Sequence, residues 1–265
     1  MNKSYPIILL ICFIILPSLS CSDEKSYSGG QRIVFLHHST GQNVWFGDVP
    51  QTEPLSDNYL VPRLINEHNE KTSSSISITE VAFPKGSPYP WENYPYDYYN
   101  IWVLNGDKSS YKKEPTLKTL TKDYDLIVFK HCFPVSNIVS DELIMESLQT
   151  KTLGNYKFIY GELKTKMYEY PETKFLVWTG AALVESATNS EEAARAQEFF
   201  RWVKEDWDEP NDNIYIFDFY GLETGGGLYL KPEYAASPGD SHPNIKLSTL
   251  AGTNFVKLLI DITEE

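Results

Sequence analysis

Short apolar runs rich in β-branched and aromatic residues recur along this chain, with segments of helical periodicity between them. Residues 32–38 (RIVFLHH), 76–83, 125–130 (DLIVFK), 174–179 (KFLVWT) and 213–219 (NIYIFDF) each predict a strand. The third is continuously apolar rather than alternating, the pattern of a strand covered on both faces. Helical patterns occupy residues 59–70, 143–168 (with a break in prospect over 150–155), 190–207 and 247–262. Ser190 is placed to cap the third helix, Glu191 and Glu192 suit its first turn, and Ala194, Phe199 and Val203 mark one face. Five strands alternating with helices imply an α/β fold, a three-layer α/β/α sandwich around a mainly parallel sheet. No internal repeat or second core is visible, so residues 32–265 read as one domain. The connection over 84–122 is longer than compact domains carry without a purpose.

The N-terminus reads differently. Lys3 precedes ten unbroken apolar residues, 7–16, too few to span a bilayer but suited to a signal-peptide core. Residues 1–20 are therefore expected to be a signal peptide, and 21–31, with Gly29-Gly30, a flexible tether. The stretch Pro17-Ser18-Leu19-Ser20-Cys21 resembles the lipobox of bacterial lipoproteins, although Ser18 stands where Leu is usual. That resemblance implies lipidation at Cys21 and anchoring to the outer membrane; an ordinary secretory signal is the alternative. Ser22-Asp23-Glu24-Lys25 resembles the surface-export signals of Bacteroidetes lipoproteins. Of three cysteines, Cys12 leaves with the signal and Cys21 is taken up if lipidated, so Cys132 is then the remaining thiol. A disulfide within the mature chain is then excluded, and stability rests on the core.

A net charge of -13 and no basic stripe argue against nucleic acid or anionic lipid surfaces as partners. Membrane contact is expected through the anchor only, with the domain a monomer.

Ligands of parallel sheets gather beyond the carboxyl ends of the strands. Three motifs stand there. In His37-His38-Ser39-Thr40-Gly41-Gln42-Asn43, Ser39 follows the first strand, and amides after it suit a developing oxyanion; a turn serine starting a helix is the alternative. In Asp240-Ser241-His242-Pro243-Asn244, a histidine with a base's pKa sits beside a carboxylate able to fix its tautomer. A loop histidine beside a helix-capping Asn244 is the plainer reading. In KHCFPVSN, Asn137 offers an amide to an oxyanion, or Ser136 and Asn137 simply start a turn.

A serine after the first strand, an amide-bearing loop after the third, and Asp with His before the last helix resemble the SGNH (GDSL-like) hydrolases. The resemblance covers residues 32–262 and implies a flavodoxin-like sandwich with a five-stranded parallel sheet. It implies Ser39 as nucleophile, His242 as general base, Asp240 as its orienting acid, and Gly41 or the Ser39 amide with Asn137 as oxyanion donors. The family's Gly-Asp-Ser block is His37-His38-Ser39 here. Its acid usually stands three residues before the histidine, where this chain has Gly239; Asp240 stands two before, a spacing similar to that of the alginate acetyltransferases.

Residues 89–102 (YPWENYPYDYYNIW) hold seven Tyr and Trp side chains. Their faces suit sugar rings, and His38, Trp91 and Tyr94 are the expected substrate contacts. Aromatic plugs fixing a loop are the alternative. The glycine-rich 221–228 reads as a mobile loop near the base and lacks the context of a phosphate site. Adjacent His37 and His38 would point to opposite strand faces, so a metal site joining either of them, or His131, to Asp240 and His242 is the lesser reading. The expectation is a cofactor-free serine esterase acting on a carbohydrate acyl ester, acetyl above all. Its rival is a glycan-binding lipoprotein on a degenerate hydrolase fold.

Overall fold

The computed structural model describes residues 29–50, 56–141 and 147–265. The signal peptide, Cys21, most of the tether and residues 142–146 of the 143–168 prediction lie outside the described residues.

Strand β1 (Gln31–His37) pairs in parallel with β2 (Ile76–Ala82) on one side and β5 (Leu126–Phe129) on the other. β6 (Lys174–Trp178) and β7 (Ile214–Phe217) continue the parallel sheet, whose order is β2-β1-β5-β6-β7. The five expected strands are thus the five observed ones, trimmed at their ends. β5 is buried at every residue, as its unbroken apolar run requires, whereas edge strand β2 buries only Ile76. Helices α1 (Ser39–Phe46), α2 (Leu60–Thr72) and α8 (Ile245–Glu264) contact one another on one side of the sheet. On the other side α3 (Pro95–Tyr98), α5 (Leu153–Tyr168) and α6 (Ser190–Trp202) pack together. α4 (Leu117–Asp123) and α7 (Phe219–Thr224) lead into β5 and out of β7. Two small hairpins complete the fold, β3 (Ser110–Tyr111) with β4 (Glu114–Pro115), and β8 (Ala235–Ser237) with β9 (Asp240–Pro243).

Local details depart from the sequence reading. α5 begins only at Leu153, because Thr152 caps it by accepting from the Asn155 amide. Asn189, not Ser190, caps α6 through the Glu192 amide. Phe199 and Val203 lie on the buried face as expected, with Ala193, Ala196 and Phe200, whereas Ala194 is exposed. The glycine-rich segment is helical up to Thr224, and only then do Gly225 and Gly226 take the positive φ that ends α7.

The long 84–122 connection is structured. Tyr89, Tyr94, Tyr98, Tyr99 and Trp102 are all buried. Tyr98 and Trp102 meet edge-to-face at 4.9 Å, and both contact Phe129 of β5. Aromatic plugs therefore describe most of this insertion. It roofs the carboxyl end of β5, and that decides what surrounds the site.

Candidate active site

From β1 the chain crosses to β2 at the edge and returns over β1 to β5. This reversal opens a crevice between the carboxyl ends of β1 and β5, the usual place for ligands in such sheets. Ser39 leaves β1 after one extended residue, His38, and is the first residue of α1. Cys132 and Phe133 lie on the far lip, just past β5. Across the crevice Ser39 Oγ stands 3.9 Å from Cys132 Sγ.

The third wall is the β8–β9 hairpin. Asp240 and His242 are two apart on strand β9, and alternation places them on the same face. Ser241 between them points inward, where its Oγ accepts from the Val184 amide at 3.0 Å. A single Asp240 oxygen, Oδ1, accepts from the His242 amide at 2.9 Å and meets His242 Nδ1 at 2.6 Å. Spacing of two is thus what an extended strand needs, and Gly239 is left for the hairpin turn. Hydrogen bonding from His242 holds the Asp240 carboxyl below the usual aspartate range. With Nδ1 donating to the carboxylate, Nε2 is the free nitrogen of the ring. The ring stands edge-on to Phe133 at 4.9 Å.

One further bond joins the hairpin to the first turn of α1. Asn43, one turn after Ser39, donates to the Pro243 carbonyl at 3.1 Å. Asn244 closes the hairpin by capping α8 at the Leu247 amide, so its plainer role and the pairing of His242 coexist. Among the described residues, hydrogen bonds join Asp240 to His242 but not His242 to Ser39. Catalytic bonds commonly tighten only with substrate.

The expected oxyanion donors fare unevenly. The Gly41 amide donates to the His38 carbonyl at 2.8 Å and is not free. The amides of Ser39 and Thr40 open the helix and have no acceptor within it. Gly41 serves packing instead: a Cβ there would lie 2.6 Å from His37 Cβ and 2.7 Å from its ring. Gly41→Ala is expected to lower stability by about 1–3 kcal/mol, measured by chemical denaturation, because His37 is buried and bonded to Glu80. An unchanged midpoint would show that the ring has room to move. Asn137 is exposed at the end of a 3-10 turn and takes no part in the contacts linking Ser39, Cys132, Phe133 and His242.

Of the expected substrate contacts, Tyr94 is withdrawn: it is buried, with its hydroxyl on the Gln149 carbonyl. His38 is half-buried, bonded to the Pro84 carbonyl at 2.8 Å and stacked on Trp91 at 4.0 Å, 5° from parallel. Burial lowers its pKa, so the ring is neutral near pH 7. Trp91 remains 38% exposed beside the residue preceding Ser39. His131 is a core residue on Tyr160 Oη, its pKa pushed down to about 3 by burial. Among the described residues no three metal-ligating side chains converge.

Two residues escaped the sequence reading. Asn93, fully buried inside the aromatic insertion, accepts from the Cys132 amide at 2.6 Å and donates to the Phe83 carbonyl at 2.6 Å. Lys130, the charge that ends the apolar LIVF run, is also completely buried. The charge ending DLIVFK was visible; its burial was not.

No protein-family model matches this sequence. No curated protein matches it either. Solved structures do share the fold. A lipase from a goat rumen metagenome superposes with a TM-score of 0.51 at 14% identity, over 85% of this chain and 95% of that one. A variant of Axe2, an acetyl xylan esterase from Geobacillus stearothermophilus, gives 0.50 at 13% identity over 86% and 94%. This chain shares the α/β fold of these structures, with its five-stranded parallel sheet between helices.

Proposed function

We propose that this protein is a serine esterase of the SGNH type that removes acyl groups, acetyl above all, from a carbohydrate. The observation that carries the reading is the Asp240–His242 pair facing the crevice that Ser39 lines. In this reading Ser39 Oγ attacks the acyl carbonyl while His242 Nε2 takes its proton. Asp240 steadies the imidazolium, and the Ser39 and Thr40 amides receive the oxyanion. His242 then returns the proton to the departing sugar oxygen, and water releases the acyl group from Ser39 by the reverse sequence. No cofactor enters these steps. The likeness of the fold to a lipase and to an acetyl xylan esterase supports the chemistry. The exposed Trp91 face supports the sugar. With Cys21 lipidated, the enzyme would work from the outer membrane as an exported monomer.

Steady-state kinetics on an acetylated oligosaccharide and on p-nitrophenyl acetate test this reading. Both are expected to turn over, and Trp91→Ala to raise KM about tenfold for the sugar ester alone. Glycan binding with no turnover of either ester would replace the esterase by a binding protein.

A further inference from the structure

The densest chemistry outside Ser39, Asp240 and His242 lies beneath the first turn of α1. Lys130 closes β5 with its side chain fully out of solvent. Burying an ammonium group is costly unless its protons find acceptors. Nζ donates to Thr40 Oγ1 and to the His131 carbonyl at 2.6 Å. Its third direction meets Cys132 Sγ at 4.0 Å, and that sulfur is the one 3.9 Å from Ser39 Oγ. Among the described residues no carboxylate forms an ion pair with Lys130. Complete burial lowers the Lys130 pKa, and Glu223 nearby is itself buried, with its carboxyl raised to about 8. A leucine or methionine would fill the same space without these demands. What the lysine adds is a fixed set of donors aimed at the residue after Ser39 and at the sulfur touching it.

We propose that Lys130 is a positioning residue for the nucleophile, holding α1's first turn through Thr40 and orienting the Ser39 hydroxyl through Cys132. With an ammonium proton directed at Sγ, the thiol's own S–H points to Ser39 Oγ. Oγ accepts there, and its proton turns away from the sulfur, into the crevice that His242 borders. No proton changes owner in this arrangement; only its direction is fixed. The inference rests on Ser39 being the nucleophile.

The test uses the full chain and two readouts, the rate of Ser39 labelling by a fluorophosphonate probe, and kcat and KM for p-nitrophenyl acetate. Lys130→Met, Thr40→Val and Cys132→Ala are each expected to slow labelling and lower kcat about fivefold to tenfold, the worth of one hydrogen bond. KM stays unchanged. Thr40→Ser, which keeps the acceptor oxygen, slows labelling less than Thr40→Val. Lys130→Met or Cys132→Ala at the wild-type rate, or Thr40→Ser as slow as Thr40→Val, overturns the role. If Lys130→Met does not fold, the two Thr40 variants and Cys132→Ala decide. A wild type that does not label overturns this proposal together with the esterase reading. A normal wild type with unaffected variants overturns the role of Lys130 alone.

Discussion

Ser39→Ala is expected to cut ester turnover by about three to four orders of magnitude or more while leaving the fold as stable as before. Both halves follow from where the residue sits. Ser39 is the first residue of α1, and its hydroxyl makes one weak contact, with Cys132 at 3.9 Å. It neither caps the helix nor fills a core position; His38 occupies the N-cap site with no side-chain bond there. Alanine is a good helix former, so the change in stability should stay within about 0.5 kcal/mol. In the proposed mechanism activity depends on the oxygen that stability does not need. Removing it leaves the amides of α1 to polarise a bound ester, which supports only a residual rate. Kinetics with p-nitrophenyl acetate beside a thermal melt separate the two effects. His242→Ala should fall to a similar residual rate, because the two residues act as one unit. Full activity in either variant would remove the triad from this protein.

The Asp240 variants make a graded prediction. Asp240→Ala removes the charge and both hydrogen bonds to His242, so kcat is expected to fall about 10²- to 10⁴-fold. Asp240→Asn should lose less, about tenfold to a hundredfold. One oxygen, Oδ1, serves both the His242 amide and Nδ1. The backbone bond would hold an asparagine oxygen, not its NH2, against the ring, keeping the tautomer while losing the charge. Equal loss in both variants would mean that the amide flips and that tautomer control is the whole effect.

The pH dependence has a definite sign. The folded-state pKa of Asp240 is depressed, so its stabilising interaction is fully present above the ordinary aspartate value of 3.8. It fades as pH falls through the lower folded value. Wild type and Asp240→Asn should therefore differ at neutral pH and converge in strong acid, as followed by denaturant midpoints. The carboxylate is largely exposed, so this difference should be small beside the loss in kcat.

Much of this protein was legible in its residues. An unbroken LIVF run can be stable only where helices cover both faces, so the parallel sheet and its five strands followed from composition and periodicity. Ser39 stood out because it follows the first apolar run, where such sheets place chemistry, and His242 because it stands near an acid just before the last helix. Asp240 stands one residue from the place where the resembled family usually carries its acid, which is Gly239 here. As a strand, two residues return to the same face, and the carboxylate meets Nδ1 at 2.6 Å.

Tertiary structure alone decided the rest. Tyr94 and Trp91 are equally aromatic and three residues apart, yet one is a core plug and the other an open face. Which is which depends on how the insertion lies on β5, a contact between distant segments. Gly41 offered a flexible amide on paper, but its amide is bound to His38 and its missing side chain makes room for His37. Lys130 and Asn93 carried no local sign of importance, because burial is a property of the neighbours and not of the residue. The hairpin that carries His242 meets the turn after Ser39, about 200 residues away in sequence, through Asn43 reaching Pro243. Periodicity determines which face of an element is buried. Only packing decides which elements meet.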